Sequence, residues 1–229
     1  MSMQFALPLM LDDQPSLSNF IGAHNQEVLV QCEMIAFGNF EHTALYLWGA
    51  SGSGKSHLIQ SLGALPNSVL LDFESLNRAC ATQLNTQIYL LESVEQLTPT
   101  QQINLFHLYN QIRSQGKTLV LTANCPVAQL PHSFLPDLKT RLSWDLVYQL
   151  EPLTDDDKAQ VLISQAEQRG LTLGSGVVTY MLHHLSRDLS QLRRFLLHLD
   201  AYSLQQKRAV TLPLLKEWLN HDSNDSNSL

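Results

Sequence analysis

The stretch Gly49-Ala50-Ser51-Gly52-Ser53-Gly54-Lys55-Ser56 matches the pattern G-x-x-x-x-G-K-[ST] in full. An apolar run precedes it at residues 44–48 and a helical pattern follows at residues 55–62, as a phosphate-binding loop requires. Its glycines let the backbone bend so that successive N–H groups face a phosphate, and the helix N-terminus adds a positive dipole end. We therefore predict a nucleotide site formed by this loop and the adjoining His57, with Lys55 at the β and γ phosphates and Ser56 as a Mg²⁺ ligand. A chance glycine-rich turn is the alternative.

Short apolar runs alternate with helical patterns on both sides of this loop. The predicted strands are residues 44–48, 68–72, 87–91, 118–122 and 146–150. The predicted helices are residues 26–37, 55–62 and 99–115, the last with Ile103, Phe106, Leu108 and Ile112 on or near one face. Continuous apolar strands between helices are typical of a parallel sheet covered on both faces. We therefore predict an α/β fold with a five-stranded parallel sheet.

The pattern becomes entirely helical after Glu151-Pro152. The acidic run at residues 155–157 favours a helix start, and Gly170 favours its end. Three further helices are predicted at residues 176–185, 188–204 and 213–220. The predicted organisation is a flexible leader (residues 1–18), a P-loop domain (19–152), a small helical lid domain (153–220) and a disordered tail (221–229).

Composition narrows the range of functions. The 14 basic and 21 acidic residues give a formal charge of -7, so direct binding to duplex DNA is disfavoured. The cysteines (Cys32, Cys80 and Cys125) do not have the spacing of a metal site, which favours buried or indifferent thiols. Because the sequence has neither an apolar run of membrane-spanning length nor a secretion signal, we expect a cytoplasmic protein.

Acidic residues follow the third predicted strand. Glu92 occupies the position where a carboxylate usually holds the hydration shell of Mg²⁺ through Ser56. Ser93 follows it, and a hydroxyl is a poor base at neutral pH. Glu95 could replace that base only if the chain turns into a helix there; otherwise it is a solvated residue at a helix start. We expect good nucleotide binding with weak or absent intrinsic hydrolysis.

The loop, the sheet and the helical lid together resemble the AAA+ ATPases of the DnaA branch over nearly the whole chain. Residues 4–9, which read Gln4-Phe5-Ala6-Leu7-Pro8-Leu9, look like the peptide with which a regulatory member of that branch binds the DNA sliding clamp, the β subunit of the polymerase. Gln4 offers amide hydrogen bonds, Leu7 and Leu9 are apolar anchors, and Pro8 stiffens the segment before binding. An N-terminal arm that packs on its own core is the alternative.

The segment Leu135-Pro136-Asp137-Leu138-Lys139-Thr140-Arg141-Leu142 is similar to the family segment that ends in an arginine finger. The resemblance implies that Arg141 acts in trans, at the ATP held by a neighbouring DnaA. A fixed guanidinium at the γ-phosphate can be worth about 10³–10⁵ in rate. The alternative is a surface ion pair, for example with Asp137.

The resemblance also implies nucleotide contacts beyond the loop. A polar phosphate sensor is expected near the end of the fourth strand, where Asn124 is the candidate with Thr122 behind it. A capping role for Asn124 is the alternative. In the lid helix, Ser190 occupies the position at which relatives carry a nucleotide-binding arginine. Arg187 and Arg193 lie three residues to either side and are the replacement candidates, or they are simply solvated.

Together with these features, the resemblance implies a negative regulator of replication initiation that holds ADP or ATP with Mg²⁺ and has the sliding clamp and DnaA as partners. A homodimer through the nucleotide site is a further expectation. Sequence-specific DNA binding is not expected, since no helix-turn-helix pattern follows the lid. The main alternative is an active, DnaC-like ATPase of the helicase-loader type. A small-molecule or nucleotide kinase is a third alternative, which the lack of an acceptor-site arginine cluster in the P-loop domain disfavours.

Overall fold

The computed structural model describes residues 14–79, 84–185 and 188–225. They divide into two compact units, Pro15–Thr154 and the helical region that begins at Asp155. The second unit is called the lid below. The division lies two residues beyond the break near residue 152 that the sequence indicates.

A five-stranded sheet forms the centre of the first unit, with all of its strand pairs parallel. The strands are β1 (Ala44–Trp48), β2 (Ser68–Leu71), β3 (Ile88–Leu91), β4 (Thr118–Ala123) and β5 (Leu146–Gln149). Their order is β2-β3-β4-β1-β5. The predicted α/β class and parallel sheet are confirmed. Because β3, β4 and β1 are neighbours, the residues that follow their carboxyl ends meet at one edge of the sheet.

Helices cover both faces of this sheet. They are α1 (Gln26–Ala36), α2 (Lys55–Gly63), α3 (Phe73–Ala79), α4 (Pro99–Ser114) and α5 (Pro136–Leu142). Buried residues of α1 and α2 share one apolar core with the sheet, and buried residues of α4 and α5 share the other. The short helices α3 and α5 were not among the predicted elements, since seven residues carry too little periodicity to be recognised.

The prediction for the inward face of α4 was partly wrong. Leu108 and Ile112 are buried, but Ile103 is 46% exposed and Phe106 is only half-buried. The buried positions Leu105, Leu108, Tyr109 and Ile112 follow the spacing i, i+3, i+4, i+7, and Ile103 falls outside that stripe.

The folded unit begins earlier than predicted. Part of the expected leader is ordered, because Leu17–Asn19 forms a short 3-10 helix that Ser16 caps. The Ser16 carbonyl is 2.9 Å from Nε2 of His57, and Leu17 packs against the core beside α1 and α2. Only the part of the leader before residue 14 lies outside the described residues.

The lid contains α6 (Asp155–Gln168), α7 (Val177–His184), α8 (Leu189–Gln206) and α9 (Leu212–Asp225), which matches the predicted helical pattern. Its own core includes Leu162, Met181, Leu192, Leu215 and Trp218. The predicted disordered tail from residue 221 was wrong as far as Asp225, since α9 continues to that residue. A helix that is already anchored by packing extends through polar residues at little cost. No helix in the described ranges is long and apolar enough to cross a membrane.

Candidate nucleotide site

The phosphate-binding loop connects β1 to α2 and needs its glycines for steric reasons. Gly52 and Gly54 have φ values of 78° and 99°, a region that L side chains rarely adopt. A Cβ on Gly49 would lie 2.4 Å from the carbonyl oxygen of Leu150. The backbone conformation therefore depends on these three positions.

The ammonium group of Lys55 bonds to the loop itself. Its Nζ donates to the carbonyl oxygens of Gly49 at 2.6 Å and Ala50 at 2.9 Å. Burial lowers the pKa of Lys55 from its ordinary value of 10.5, while the negative charges of Glu95 and Glu92 act in the opposite direction. Both acidic residues are therefore close enough to influence the loop lysine.

An aromatic side chain from the start of the unit lies against the loop. A Cβ on Gly54 would be only 2.8 Å from Cε2 of Phe20, whose ring is 5.6 Å from that of His57. Asn25 fixes the same segment, because its side chain donates to the Glu151 carbonyl at 3.1 Å and accepts from the Glu151 N–H at 2.9 Å. Sequence reasoning did not identify Phe20 or Asn25, since neither belongs to the loop motif.

The acidic segment after β3 is sharply turned. Ser93 has a φ of 57°, a left-handed conformation that is uncommon for a residue other than glycine. Its N–H donates to Oγ1 of the buried Thr122 at 3.3 Å, and Val94–Gln96 then forms a 3-10 helix. The condition set for Glu95, a helical turn at this point, is therefore met.

This turn brings Glu95 and Asn124 together. Nδ2 of Asn124 donates to Oε1 of Glu95 at 2.8 Å. The other carboxylate oxygen, Oε2, is buried and has no hydrogen-bond partner among the described residues. Asn124 therefore binds across the site to Glu95, which differs from the capping role that was its alternative. The pairing was not predictable from spacing, since 28 residues separate the two in sequence.

Two hydroxyls and two carboxylates bear on whether the site suits a nucleotide with Mg²⁺. Ser56 is exposed in the first turn of α2, and Glu92 is half-buried after β3. The hydroxyl of Ser53 is buried and, like Oε2 of Glu95, has no hydrogen-bond partner in the part of the chain that the structure describes. Oxygen ligands are those that Mg²⁺ prefers. The glycine-dependent backbone and these unpaired oxygens fit a phosphate and its cation.

Arg141 lies at the C-terminal end of α5 and is half-buried. Its Cζ is 5.0 Å from the ring centre of Trp144, 5.3 Å from that of Phe106 and 5.9 Å from that of Tyr109. Within the described residues no ion pair joins Arg141 to Asp137, so the alternative proposed for this arginine does not occur there. Aromatic rings therefore hold this guanidinium.

The remaining candidate residues lie in the lid or outside the described residues. Arg193 is half-buried in α8, and its Nε and Nη2 lie 3.0 and 3.2 Å from the Gln165 oxygen when that amide is oriented to accept. Ser190 lies in the first turn of α8. The clamp-binding candidates Gln4, Phe5, Leu7, Pro8 and Leu9 lie outside the described residues, as does Arg187. Their roles stay predictions.

Comparisons with known proteins agree with this architecture. The family described as Hda, lid domain, matches residues 155–219. An uncharacterised protein of Haemophilus influenzae is 33% identical over 237 residues, which cover 96% of this chain and 100% of that protein.

Solved structures of DnaA have the same fold. Domain III of the Thermotoga maritima replication initiation protein DnaA has a TM-score of 0.77 and 22% identity, over 91% of this chain and 96% of that one. AMPPCP-bound DnaA from Aquifex aeolicus has a TM-score of 0.69 and 18% identity, over 83% of this chain and 66% of that one.

The fold and the phosphate-binding loop define a P-loop protein with the AAA+ architecture of DnaA. Residues 155–219 belong to the Hda lid-domain family, and the chain as a whole belongs to one family with the full-length Haemophilus influenzae relative.

Proposed function

We propose that this protein is a negative regulator of chromosomal replication initiation that stimulates hydrolysis of the ATP held by DnaA. One observation carries the proposal: in the described residues, the Arg141 guanidinium makes no ion pair and lies on aromatic rings. Its N–H donors are therefore available to a phosphate of another molecule. An arginine that completes the ATP site of a neighbouring chain can raise hydrolysis by about 10³–10⁵.

The protein's own nucleotide, ADP or ATP, has a structural role in this proposal. Lys55 donates to the Gly49 and Ala50 carbonyls and would donate to phosphate oxygens instead when a nucleotide is bound, and the loop N–H groups would bind the same phosphates. Ser56 and Glu92 would hold Mg²⁺, which would neutralise phosphate charge when bound. The AMPPCP found in Aquifex aeolicus DnaA supports an adenine nucleotide at this position.

Recruitment to replicating DNA is the second part of the proposal. Residues 4–9 dock on the sliding clamp through Gln4, Leu7 and Leu9, which concentrates the protein where DnaA must be inactivated. The net charge of -7 favours recruitment through the clamp over direct contact with DNA. Cytoplasmic location and self-association through the nucleotide site belong to the same proposal.

The test is hydrolysis of DnaA-bound ATP with this protein and DNA-loaded clamp. We expect stimulation that Arg141→Ala abolishes and that replacement of Gln4, Leu7 and Leu9 by Ala makes independent of the clamp. Arg208→Ala, which removes an exposed arginine of the lid, is the matched control and should keep full activity. Full stimulation by Arg141→Ala would exclude the arginine-finger role.

One observation favours a second candidate, an active ATPase of the helicase-loader type. Asn124 pairs with one carboxylate oxygen of Glu95, and the other, buried oxygen has no partner among the residues described, so it can orient water near Lys55. Turnover by the protein alone, raised by single-stranded DNA or a helicase and lost in Glu95→Gln, would favour this candidate. Slow turnover that neither addition changes would exclude it.

A further inference from the structure

Arg141 is surrounded by an aromatic platform, defined here as Phe106, Tyr109 and Trp144. Phe106 and Tyr109 are three residues apart on α4, so their rings project from neighbouring positions of one helix. Trp144 lies two residues beyond the end of α5, and its N–H donates to the Arg141 carbonyl at 3.1 Å. The platform therefore combines the helix that faces α5 with the turn that ends α5.

The charges around the guanidinium are unbalanced. Asp145 is the adjacent carboxylate, but its Oδ1 accepts from the Thr43 N–H at 3.1 Å and its Oδ2 accepts from the Tyr109 hydroxyl. Arg113 adds a second cation, with Cζ 5.5 Å from the Trp144 ring centre. The guanidinium groups of Arg113 and Arg141 thus both lie near the Trp144 ring, while the Asp145 carboxylate accepts hydrogen bonds from Thr43 and Tyr109.

Rings and carboxylates hold an arginine with different consequences. A carboxylate occupies the guanidinium N–H groups and cancels their charge, whereas an aromatic face attracts the cation and leaves its edge free to donate. Tyr109 is fixed in turn, because its hydroxyl donates a hydrogen bond to Asp145, whose other oxygen accepts from the Thr43 N–H. The rings therefore orient the Arg141 guanidinium and leave its N–H groups free to donate to a phosphate.

We propose that Trp144 is a positioning residue that holds the Arg141 guanidinium, without neutralising it, for the triphosphate bound to a second AAA+ chain. This inference rests on the proposed function and adds to it a reason why the indole is retained at the surface, where it is 57% exposed. Ordering the long arginine side chain beforehand reduces the entropy lost when the two chains meet.

The test compares Trp144→Leu, Trp144→Phe and Arg141→Ala in the hydrolysis of DnaA-bound ATP. We expect Trp144→Leu to lower the maximal rate at saturating protein about tenfold, Trp144→Phe to restore most of it, and Arg141→Ala to lose stimulation. Phe37→Leu is the matched control, since Phe37 is 78% exposed and follows α1, on the other face of the sheet. It should act like the unmodified protein.

A second measurement tests the contact between Trp144 and Arg141 in the protein alone, without DnaA or the clamp. In the nuclear magnetic resonance spectrum of the unbound protein, the Nε–H signal of Arg141 should be displaced by the ring currents. Trp144→Leu should move that signal towards the value of a solvated arginine, and Phe37→Leu should leave it unchanged. An unmoved signal in Trp144→Leu would show that the indole does not hold the guanidinium.

The outcomes separate the inference from the function on which it rests. Loss of stimulation in Arg141→Ala with full stimulation in Trp144→Leu would overturn the positioning role and leave the finger intact. An unchanged maximal rate with a raised half-saturating concentration in Trp144→Leu would instead make Trp144 a partner contact, and also overturn the inference. Full stimulation by Arg141→Ala would overturn the proposed function itself.

Discussion

The phosphate-binding loop and the aromatic platform differ in the groups that surround their positively charged side chains. Lys55 donates to two carbonyls of its own loop and feels the charges of Glu92 and Glu95. Arg141 lies on three rings and, within the residues that the structure describes, has no carboxylate partner. The positive charge of the loop is thus partly balanced by acidic residues of the same chain. The positive charge of the platform has no such partner in the described residues and is open to a negative group of another molecule. In the proposed function, Lys55 acts on the chain's own nucleotide and Arg141 acts on the nucleotide of another molecule.

Removal of the loop cation should have the largest effect on the chain's own ligand. Lys55→Ala should weaken ADP and ATP binding by about a hundredfold, because the lysine charge contacts the phosphates. Isothermal titration calorimetry measures the change, with Lys216→Ala in the lid as the control. Unaltered affinity in Lys55→Ala would mean that the nucleotide binds elsewhere.

The charge link between Lys55 and Glu95 can be tested directly. Glu95→Gln should slow any intrinsic hydrolysis by about tenfold to a hundredfold while nucleotide binding persists. It should also lower the pKa of Lys55 further, since Glu95 opposes the effect of burial on that group. Titration of the Lys55 side chain by nuclear magnetic resonance provides the measurement. If the pKa of Lys55 does not change, the two charges do not interact in solution.

The close approach of Phe20 to the loop predicts a difference between two glycines. Gly54→Ala should lower the free energy of unfolding by about 2–3 kcal/mol, because it adds a clash with Phe20 to the cost of a positive φ. Gly52→Ala has a positive φ but no atom within 4 Å of the added Cβ, so about 1 kcal/mol is expected. Urea denaturation compares them, and equal losses would show that Phe20 does not lie against Gly54.

The smallest expected effect concerns the support of the platform. Tyr109→Phe keeps the ring but leaves Oδ2 of Asp145 without its donor, which should cost about 1 kcal/mol of unfolding free energy near neutral pH. Burial, followed by the hydrogen bond to Asp145, raises the pKa of Tyr109 above 10.0.

The raised pKa of Tyr109 fixes the sign of a pH effect. The folded chain retains the phenol proton after the unfolded chain has lost it, so the contribution is complete below pH 10 and is lost as the pH rises through the folded pKa. Unfolding free energies measured across that range should fall less steeply in Tyr109→Phe than in the unmodified protein. Parallel curves would show that Tyr109 titrates normally.

The sequence was sufficient for the elements whose apolar residues are continuous or periodic. The ends of all five predicted strands lie within one residue of the observed ones, since buried parallel strands read as unbroken apolar runs. The sequence did not predict the exposure of Ile103, because a single apolar residue next to the buried stripe of a helix looks like part of that stripe.

The contacts that distinguish the two charged regions could not be predicted. The bond from Asn124 to Glu95 depends on the left-handed Ser93 and the short helix behind it, and no residue type requires that conformation. The platform joins α4 to the turn after α5, a helix too short to be recognised beforehand. The loop was predictable because its chemistry is local, whereas these contacts depend on tertiary packing.

The central claim is that Arg141 acts on the nucleotide of another chain. Single-turnover hydrolysis of ATP preloaded on DnaA, with clamp-bound DNA and either Arg141→Lys or Arg113→Lys, tests it most directly. Lysine keeps the charge but lacks the planar fork that binds phosphate oxygens in pairs. We predict that Arg141→Lys loses most of the stimulation, by about a hundredfold or more, while Arg113→Lys retains it. Equal, undiminished stimulation by both variants would contradict the claim.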